Sequence, residues 1–481
     1  MVFSDLFFIY AFIPAFILCY IAGSFIDKHW LSDGGKESFA AKNMALVIFS
    51  FIFYAWGEPM YVFLMLICVL INYICGRCID SASSHRKLAL VIGLVLNISI
   101  LATFKYLGFF AEQLQNLGLP VTVPKIALPI GISFYTFQSI SYLIDVYKKE
   151  SPVQRRFADL LLYISMFPQL IAGPIVRYGT VASEINKRSV NSKDIADGSF
   201  RFLIGLGKKV VLANQLSEVS DQLLVNGFND LTTTGAWVGI AAFTLQIYFD
   251  FSGYSDMAIG IGRCLGFHFN ENFDHPYCCN SISDFWRRWH MSLGSFFRDY
   301  VYIPLGGNRS HQALNIFVVW FLTGMWHGAS WNFIIWGLYF GFIVMLEKYT
   351  LLRVHNRIPA PLLHIYSILL VVIGWGIFYF VDINQMLAFF KILFGGSAVL
   401  HDFVTESALA SNFWLWIIAI AFCLPLRKWA MMATTHICGK DTKAETFVVY
   451  SARIIYSIAV LILSTALLVG ATNNAFLYTR F

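Results

Sequence analysis

The stretch LALVIGLVLNISILATFKYLGFF, residues Leu88–Phe110, decides the fold class of this chain. Its apolar character is interrupted by a single charged side chain, Lys105. A helix needs about 20 consecutive apolar residues to cross a bilayer, so this stretch is long enough. We therefore predict that it forms a membrane-spanning helix.

Similar apolar runs recur on both sides of this stretch. Of the 481 residues, 58% are hydrophobic and 13% are charged, and the mean hydropathy is +0.65. A soluble protein of this length cannot bury so many apolar side chains in one core, which excludes most water-soluble enzyme classes. We predict an all-α polytopic membrane protein with roughly 11–13 membrane helices. The apolar runs are Phe7–Phe25, Met44–Trp56, Tyr61–Ile74, Leu88–Phe110, Ile126–Val146, Leu160–Ile175, Phe202–Ala213, Ala236–Phe251, Asn315–Trp326, Phe333–Leu346, Leu362–Val381, Asn412–Leu424 and Phe447–Gly470.

Proline and glycine interrupt several of these runs. The breaks fall at Pro129 and Gly131, at Pro168, at Gly173, and between Gly324 and Gly328. A helix can break at membrane depth only where protein or a water-filled cavity satisfies the freed backbone groups. We therefore expect several broken or re-entrant helices around a cavity.

Basic residues collect in a few loops, which indicates the cytoplasmic side of the membrane. The last apolar run follows such a loop, so we expect the tail 471–481 to emerge on the extracytoplasmic side. Without a repeat or a long linker, residues 1–470 are predicted to form one membrane domain. The N-terminus lacks a basic region and a cleavage site, which indicates a retained first helix. The basic loop residues are Arg77, Arg86, Lys87, Lys148, Lys149, Arg155, Arg156, Lys187, Arg188, Lys193, Arg427, Lys428, Lys440 and Lys443.

The overall charge argues against a nucleic-acid partner, and the cysteines argue against a metal site and a disulfide framework. A formal net charge of +6, dispersed over the chain, does not indicate a nucleic-acid partner. The nine cysteines include the CxxC pair Cys75 and Cys78 and the neighbours Cys278 and Cys279, without a second cluster at metal-ligand spacing. We therefore predict no bound metal and no disulfide framework.

Titratable side chains are concentrated within sixty positions in the middle of the chain. Ionisable groups near a membrane indicate a functional site, although part of this segment also fits an amphipathic helix on the cytoplasmic surface. If Ser283–Phe297 forms one helix, His290 shares an inward stripe with Trp286, and Asp284 pairs with Arg288. The titratable residues are Asp250, Asp256, Arg263, His268, Glu271, Asp274, His275, Asp284, Arg287, Arg288, His290, Arg298, Asp299 and Arg309.

His327 lies inside the apolar block Phe317–Phe340, far in sequence from any charged residue. Desolvation favours the neutral imidazole, which can accept a proton from a substrate hydroxyl near pH 7. The alternative is a histidine that forms hydrogen bonds between helices. The aromatic and small residues around it, among them Trp326, Trp331 and Asn332, favour the wall of a tunnel.

Four segments of the sequence resemble the membrane-bound O-acyltransferases. They are FDFSGYSDMAIGIGRCLGF at Phe249–Phe267, ENFDHPY at Glu271–Tyr277, FWRRWHMSLGSFFRDYVYIPLGGNR at Phe285–Arg309, and WHGASWNFIIWG at Trp326–Gly337. The earlier segments LPIGISFYTFQSISYLID and MFPQLIAGPIVRY also fit, so the resemblance covers nearly the whole chain. The chain is similar to the bacterial branch that contains alginate O-acetyltransferase, with relatives in peptidoglycan O-acetylation and teichoic acid D-alanylation.

The resemblance implies the fold of that family, with a central tunnel, and an O-acyltransferase activity. It implies that His327 is the catalytic histidine and that His290 is the second characteristic, supporting position. The implied acyl donor is cytoplasmic acetyl-CoA, whose phosphates would meet four arginines, although lipid headgroups are an equal alternative partner for them. These arginines are Arg287, Arg288, Arg298 and Arg309.

Asp250 and Asp256 match an element of the same family, D-x-S-G-Y-S-D. Two aspartates near a membrane also suit helix capping or charge pairing with Arg263. We favour the structural interpretation for both carboxylates.

The last six residues, Phe476–Phe481, match the F-x-Y-x-x-F ending of the accessory peptide in teichoic acid D-alanylation and of some transferases in this family. The resemblance implies that the Tyr478 hydroxyl accepts the acyl group and offers it to a partner transferase. Eight extended residues after Gly470 reach roughly 26 Å, against about 15 Å from the bilayer surface to its midplane. The alternative is a frayed terminus whose aromatic rings rest at the interface.

We therefore expect an inner-membrane O-acetyltransferase that moves acetyl groups from acetyl-CoA toward an extracytoplasmic polysaccharide. The chain has no G-x-S-x-G elbow for a final transfer to sugar, so a separate, SGNH-type partner transferase is expected, with an exopolysaccharide or cell-wall glycan as acceptor. A transporter or flippase is the alternative from another class, because buried ionisable residues and broken helices also line transport pathways. Acylation of a lipid or protein is a third possibility.

Overall fold

The computed structural model describes residues 1–32, 38–81, 84–171, 173–440 and 442–471. Within these ranges all regular secondary structure is helical, and no strand occurs. The predicted all-α fold is therefore confirmed.

Six of the described helices are long and apolar enough to cross a membrane. A bent pair, Phe403–Ser411 and Phe413–Phe422, adds a seventh span if its two halves, which meet at 62°, are counted together. The other predicted runs form helices that are shorter, broken or more polar, so fewer helices meet the criterion than the 11–13 predicted. The six helices are Phe8–Leu31, Tyr61–Asp80, Arg86–Lys105, Trp331–Arg357, Ala360–Tyr379 and Lys443–Val469.

The breaks predicted at proline and glycine are present. The helix after Pro129 begins only at Ile132, directly behind Gly131, whose backbone is left-handed with φ of 79°. A Cβ atom at Gly131 would lie 2.8 Å from the carbonyl oxygen of Leu170, so only glycine allows this close approach. The opening stretch also breaks, since its helix ends at Lys105 and a second one begins at Leu107.

The chain divides into two compact units, and the predicted single domain over residues 1–470 stays a prediction. The first unit comprises Met1–Phe202 and Ser255–Asn270. Its helices at membrane depth are joined by polar pairs, such as the reciprocal amide hydrogen bonds between Asn72 and Asn97 at 3.0 and 2.9 Å. The helices of this unit are Ile13–Ile26, Ala40–Ala55, Tyr61–Asp80, Arg86–Lys105, Leu107–Asn116, Ile132–Lys148, Phe157–Ser165, Phe167–Leu170, Tyr178–Asn186 and most of Ser192–Gly207.

The second unit comprises Leu203–Tyr254 and the chain from Glu271 onward, and it contains both candidate histidines. The helix Thr233–Cys264 contributes to both units. The remaining helices of this unit are Asn214–Asp221, Ile282–Arg288, Met291–Phe297, Gln312–His327, Trp331–Tyr349, Leu351–Val354, Ala360–Tyr379, Ile383–Lys391, Phe403–Ser411, Phe413–Phe422, Leu426–Cys438 and Lys443–Val469, with short π-helical segments at Lys208–Ala213, Gln222–Asn226, Arg298–Tyr302 and Ile392–Gly396.

A tight helical hairpin, Gln312–His327 and Trp331–Tyr349, forms the centre of the second unit. The two helices cross at Gly324 and Gly337, where an added Cβ atom would collide with the backbone of the opposite helix. Small residues at such a crossing let two backbones approach closely without lipid between them. The hairpin therefore holds the C-terminal end of its first helix, His327, in a fixed position.

Candidate active site

A cavity of about 340 Å³ in the second unit contains both predicted histidines in its lining. His290 and His327 are among its buried polar groups, together with Thr323, and Trp286, Trp289 and Trp320 form what we call the tryptophan wall. Trp286 lies on the helix Ile282–Arg288, Trp289 and His290 lie in the break that follows it, and Trp320 and His327 lie on the central hairpin. The structure thus brings together residues that are separated by 41 positions in sequence (286 to 327).

His327 is the last residue of the helix Gln312–His327, and it is buried, with 5% of its surface exposed. Three aromatic rings surround its imidazole. The ring centroids of Trp326, Trp336 and Phe378 lie 4.8, 4.9 and 5.3 Å away, each nearly perpendicular to it. The apolar surroundings predicted for this histidine are confirmed, while its catalytic role stays a prediction.

The other residues predicted beside His327 have distinct positions. Asn332 is fully buried, and its amide nitrogen donates to the carbonyl oxygens of Ile377 and Phe378 at 3.4 and 3.1 Å. It therefore holds the end of the helix that places the Phe378 ring against His327. Trp331 is 49% exposed and lies outside the cavity lining, so it does not form part of the tunnel wall.

His290 lies at a break in the helix predicted over Ser283–Phe297. The structure has two helices there, Ile282–Arg288 and Met291–Phe297, and His290 between them has a left-handed backbone with φ of 46°. The prediction of one continuous helix is therefore wrong, although the predicted stripe residues Trp286 and His290 do line the same cavity. The predicted inward orientation of His290 is confirmed by its 3% exposure, and the predicted pair of Asp284 with Arg288 is present at 3.0 Å.

Asn272 explains the break, because it competes for the backbone groups that a continuous helix would use. Its carbonyl oxygen accepts from the Met291 N–H at 3.0 Å, and its side-chain Oδ1 accepts from the Ser292 N–H at 3.2 Å and the Ser292 hydroxyl at 2.9 Å. Oδ1 also lies 3.1 Å from His290 Nδ1. Sequence spacing could not reveal this contact, because Asn272 is 18 residues away.

The same contacts assign the protonation of His290. Since the Ser292 backbone N–H can only donate, the Asn272 atom facing it is an oxygen, and His290 Nδ1 must carry the proton that it donates to that oxygen. Nε2 is then the nitrogen with the lone pair. His290 lies outside the helices that meet the membrane-span criterion, and burial lowers the pKa of its imidazole to about 3. His290 is therefore neutral at physiological pH.

Replacing Asn272 with Ala is expected to lower the free energy of unfolding by roughly 1–3 kcal/mol, because several buried donors lose their acceptor. Thermal unfolding of the purified protein in detergent measures this loss. Asn280→Ala, a change of the same residue type in a half-buried loop position, serves as control. Equal stability of both variants would contradict the role assigned to Asn272.

Trp326 contacts both histidines. Its ring centroid lies 5.7 Å from that of His290 and 4.8 Å from that of His327. The side chain is buried, with 4% of its surface exposed. It therefore packs against both imidazoles, although it lies outside the cavity lining and does not form part of the tunnel wall.

The four predicted arginines divide into two pairs. Arg287 and Arg298 line the cavity and are exposed to solvent, whereas Arg288 and Arg309 lie outside the lining. Arg298 also pairs with Asp299 at 2.6 Å. The arrangement supports a basic cavity mouth formed by two of the four residues.

Lys348 and Asn308 complete this mouth, and neither was predicted from the sequence. Lys348 Nζ donates to Asn308 Oδ1 at 2.9 Å, and both side chains line the cavity. The position of Lys348 at the end of an apolar helix could have indicated its role, because ionisable residues in membrane helices often belong to a functional site. We call Arg287, Arg298 and Lys348 the basic rim.

Glu347 was also missed. It is fully buried, and its carboxylate accepts the backbone N–H groups of Ile282 and Ser283 at 2.7 and 2.8 Å. A carboxylate in this position caps the N-terminus of the helix Ile282–Arg288, which carries part of the tryptophan wall and of the basic rim. Glu347 thus ties that helix to the central hairpin.

The aspartates Asp250 and Asp256 form ion pairs and do not line the cavity. In the second unit Asp250 pairs with Lys209 at 2.6 Å, and both side chains are buried. In the first unit Asp256 pairs with Arg201 at 2.6 Å. The expected partner Arg263 is wrong for both, because Arg263 pairs with Asp194 and Asp197. The contacts fit the structural interpretation, although their partners lie too far away in sequence to be found by spacing.

The C-terminal tail and metal binding are the remaining predicted features. The tail motif Phe476–Phe481, with Tyr478, lies outside the described residues. Among the described residues, no group of three or more His, Cys, Asp or Glu side chains is arranged to hold a metal ion.

Comparison with known proteins adds independent findings. Residues 48–390 match the MBOAT, membrane-bound O-acyltransferase family. A probable alginate O-acetylase of Pseudomonas aeruginosa is 40% identical over 390 residues, covering 79% of this chain and 72% of the relative. A peptidoglycan O-acetyltransferase of Helicobacter pylori is 34% identical and covers 80% of both chains. A teichoic acid D-alanyltransferase of Bacillus subtilis is 27% identical, covering 47% of this chain and 60% of the relative.

Proposed function

The chain belongs to the membrane-bound O-acyltransferase family, and from this premise we propose that it moves an acetyl group from cytoplasmic acetyl-CoA across the membrane for O-acetylation of an extracytoplasmic polysaccharide. The chain is a multi-pass membrane protein and an O-acyltransferase. The observation that carries the proposal is one cavity that joins two buried histidines to a basic rim. The named activities of the relatives support a glycan as the final acceptor.

The basic rim supports a donor that carries phosphates. Arg287 offers a planar guanidinium group, which binds phosphate through two parallel hydrogen bonds, and Lys348 adds a compact positive charge. Arg298 contributes a second guanidinium, whose Nε and Nη2 already donate to Asp299. A donor bound there would extend its thioester into the cavity toward the histidines. Coenzyme A has this shape, with phosphates at one end and the thioester at the other.

His327 is the proposed general base. Its imidazole takes the proton from the attacking hydroxyl, the oxygen bonds to the thioester carbonyl carbon, and the carbon–sulfur bond then breaks. The departing thiolate takes the proton back from the imidazolium, so protons and charges balance. The three aromatic rings around His327 exclude water that would otherwise hydrolyse the thioester.

The proposed attacking hydroxyl belongs to Tyr478. A thiol has a pKa near 8.5 and a phenol one near 10, so the thiolate leaves the tetrahedral intermediate more readily than the phenolate. The phenolate remains a good leaving group for the next step. An extracytoplasmic partner transferase, which we propose to be of the SGNH type, then carries the acetyl group to the glycan. This scheme places the C-terminus on the extracytoplasmic side of the inner membrane.

The tryptophan wall supports acetyl, rather than a longer acyl chain, as the group that the protein transfers. Trp286 and Trp320 pack against each other with ring centroids 5.0 Å apart, and both line the cavity. Trp320 rests on the backbone of Gly341, where an added Cβ would lie 2.8 Å from the tryptophan Cβ. A rigid wall of this kind leaves little room for extra methylene groups.

Incubating the purified protein in lipid nanodiscs with acetyl-CoA is the test of this function. We expect release of the CoA thiol, measured with a thiol reagent, with one acetyl group retained per protein and continued turnover when the partner transferase is present. A transporter or flippase would leave the thioester intact. Intact acetyl-CoA under both conditions would overturn the proposal.

Replacing Trp320 with Ala is expected to raise the cleavage of butyryl-CoA at least about tenfold relative to acetyl-CoA, because each rejected methylene is worth roughly 10- to 200-fold in a tight pocket. The measurement is the ratio of the two kcat/KM values. Trp331→Ala is the matched control, since this exposed tryptophan lies on the same hairpin outside the cavity. An unchanged ratio in Trp320→Ala would remove the wall from acyl selection.

A further inference from the structure

A second, widely open cavity of about 720 Å³ lies in the second unit, away from the residues of the candidate active site, and five of its seven lining residues are exposed. Four of its lining side chains are basic or can become positively charged on protonation, and the activity described above uses none of them. Two methionines and a threonine complete the lining. The residues are His275, Arg427, Lys428, Met431, Met432, Thr435 and His436, and we call this cavity the basic pocket.

Most of the basic pocket comes from one helix, Leu426–Cys438. Its 13 residues are too few to cross a bilayer, which needs about 20. The pocket side chains occupy two neighbouring rows with a spacing of four residues, so they share one face of the helix. The rows are Arg427, Met431 and Thr435, and Lys428, Met432 and His436.

The other face of this helix is apolar and exposed. Trp429 and Ile437 show 47% and 80% of their surfaces. A helix with one apolar and one basic face lies along the membrane interface, and tryptophan is enriched at that depth. The basic residues of this loop region also mark the cytoplasmic side. From this composition we expect the basic pocket to lie at the level of the lipid headgroups, on the side that the loop charges assign to the cytoplasm.

His275 faces the helix from a loop and has a left-handed backbone with φ of 45°. A non-glycine residue in this conformation is strained, and such strain is found where a side chain must be aimed at a site. The loop is held by a turn in which the Cys278 N–H donates to the His275 carbonyl oxygen at 2.9 Å.

Carboxylates and basic side chains both lie at the pocket. The Asp274 carboxylate lies 3.1 Å from His275 Nδ1, and Glu445 accepts a hydrogen bond from the Thr435 hydroxyl on the helix side. Among the described residues that line the pocket, Arg427 and Lys428 carry permanent positive charges, and none carries a carboxylate. Arginine and lysine are the side chains that bind phosphate best, and protonated histidine adds to their field.

We propose that the basic pocket binds the phosphate headgroup of an anionic phospholipid, such as phosphatidylglycerol. Arg427 and Lys428 contact the phosphate, and Met431 and Met432 pack against the glycerol and the first acyl carbons. The exposed Trp429 and Ile437 distinguish this occupant from a soluble anion, because they bring the helix to the depth where lipid phosphates lie. Such a lipid fixes the helix Leu426–Cys438 to the membrane surface.

Native mass spectrometry of the detergent-purified protein, titrated with phosphatidylglycerol or phosphatidylcholine, tests the site. The Arg427→Gln/Lys428→Gln protein is expected to bind phosphatidylglycerol roughly 10- to 30-fold more weakly than the wild type, with little change for phosphatidylcholine. The matched control is Lys440→Gln/Lys443→Gln, which removes the same charge from two exposed lysines outside the pocket.

Three outcomes overturn the proposal. If Lys440→Gln/Lys443→Gln weakens phosphatidylglycerol binding as much as the pocket variant does, binding depends on the overall charge of the region. If Arg427→Gln/Lys428→Gln leaves the affinity unchanged, the lipid binds elsewhere. Displacement of phosphatidylglycerol by inorganic phosphate at equal concentration means that the occupant is a soluble anion. His436→Gln is the second pocket variant, expected to weaken binding less than the double variant, and thermal unfolding of each protein checks that it is folded.

Discussion

Replacing His327 with Ala is expected to lower polymer acetylation by roughly 10²–10⁴-fold, the range that a lost general base costs. The buried imidazole sits at a helix end with three aromatic rings around it, and those rings exclude water that might replace the base. The measurement is acetyl content of the extracytoplasmic polymer in cells that carry the variant. Membrane extracts should contain the variant at the wild-type level.

The control for this variant is His401→Ala, because His401 is an exposed histidine outside the cavity. It should leave acetylation unchanged. Near-normal acetylation in His327→Ala would remove this residue from the mechanism and direct attention to His290, whose Nε2 carries the lone pair. The acetyl-CoA thiol assay on both purified variants separates a loss of chemistry from a loss of the partner step.

Replacing Tyr478 with Phe is expected to abolish transfer to the polymer, because the change removes one oxygen atom and keeps the aromatic ring. The proposed acetyl ester then has no atom on which to form. Mass spectrometry of the tryptic peptide Ile454–Arg480 after incubation with acetyl-CoA is the measurement. The wild type should carry an acetyl group on Tyr478, and the variant should carry none.

Tyr450→Phe is the matched control, since Tyr450 is an exposed tyrosine on the helix Lys443–Val469. It should acetylate the polymer normally. His327→Ala should leave Tyr478 unmodified as well, because the base acts before the ester forms. Polymer acetylation that persists in Tyr478→Phe means that the attacking hydroxyl belongs to another residue or to the partner.

Local patterns predicted those features that depend on neighbours in sequence. Hydropathy predicted the helix at Arg86–Lys105, and Pro129 with Gly131 predicted the break before Ile132. The isolation of His327 among apolar residues predicted its burial. Each of these follows from the chain within a few turns of a helix.

Contacts between distant residues could not be predicted in this way. The break at His290 depends on Asn272, 18 positions away, and the cap on Ile282 depends on Glu347, 65 positions away. Asp250 pairs with Lys209, on a π-helical segment, although Arg263 is closer to it in sequence. In each case a partner from another element supplies a hydrogen bond or a charge that local spacing cannot reveal.

The cap made by Glu347 has a mechanical consequence. The Glu347 carboxylate accepts hydrogen bonds from the start of the helix that carries Trp286 and Arg287. Glu347 itself lies on the helix Trp331–Tyr349, which begins just after the turn that follows His327. Membranes differ in thickness, and spanning helices respond by tilting. Because Glu347 joins these two helices, we expect them to tilt as one rigid body. The distance between Arg287 at the donor entrance and His327 should then stay constant when the surrounding bilayer becomes thinner or thicker.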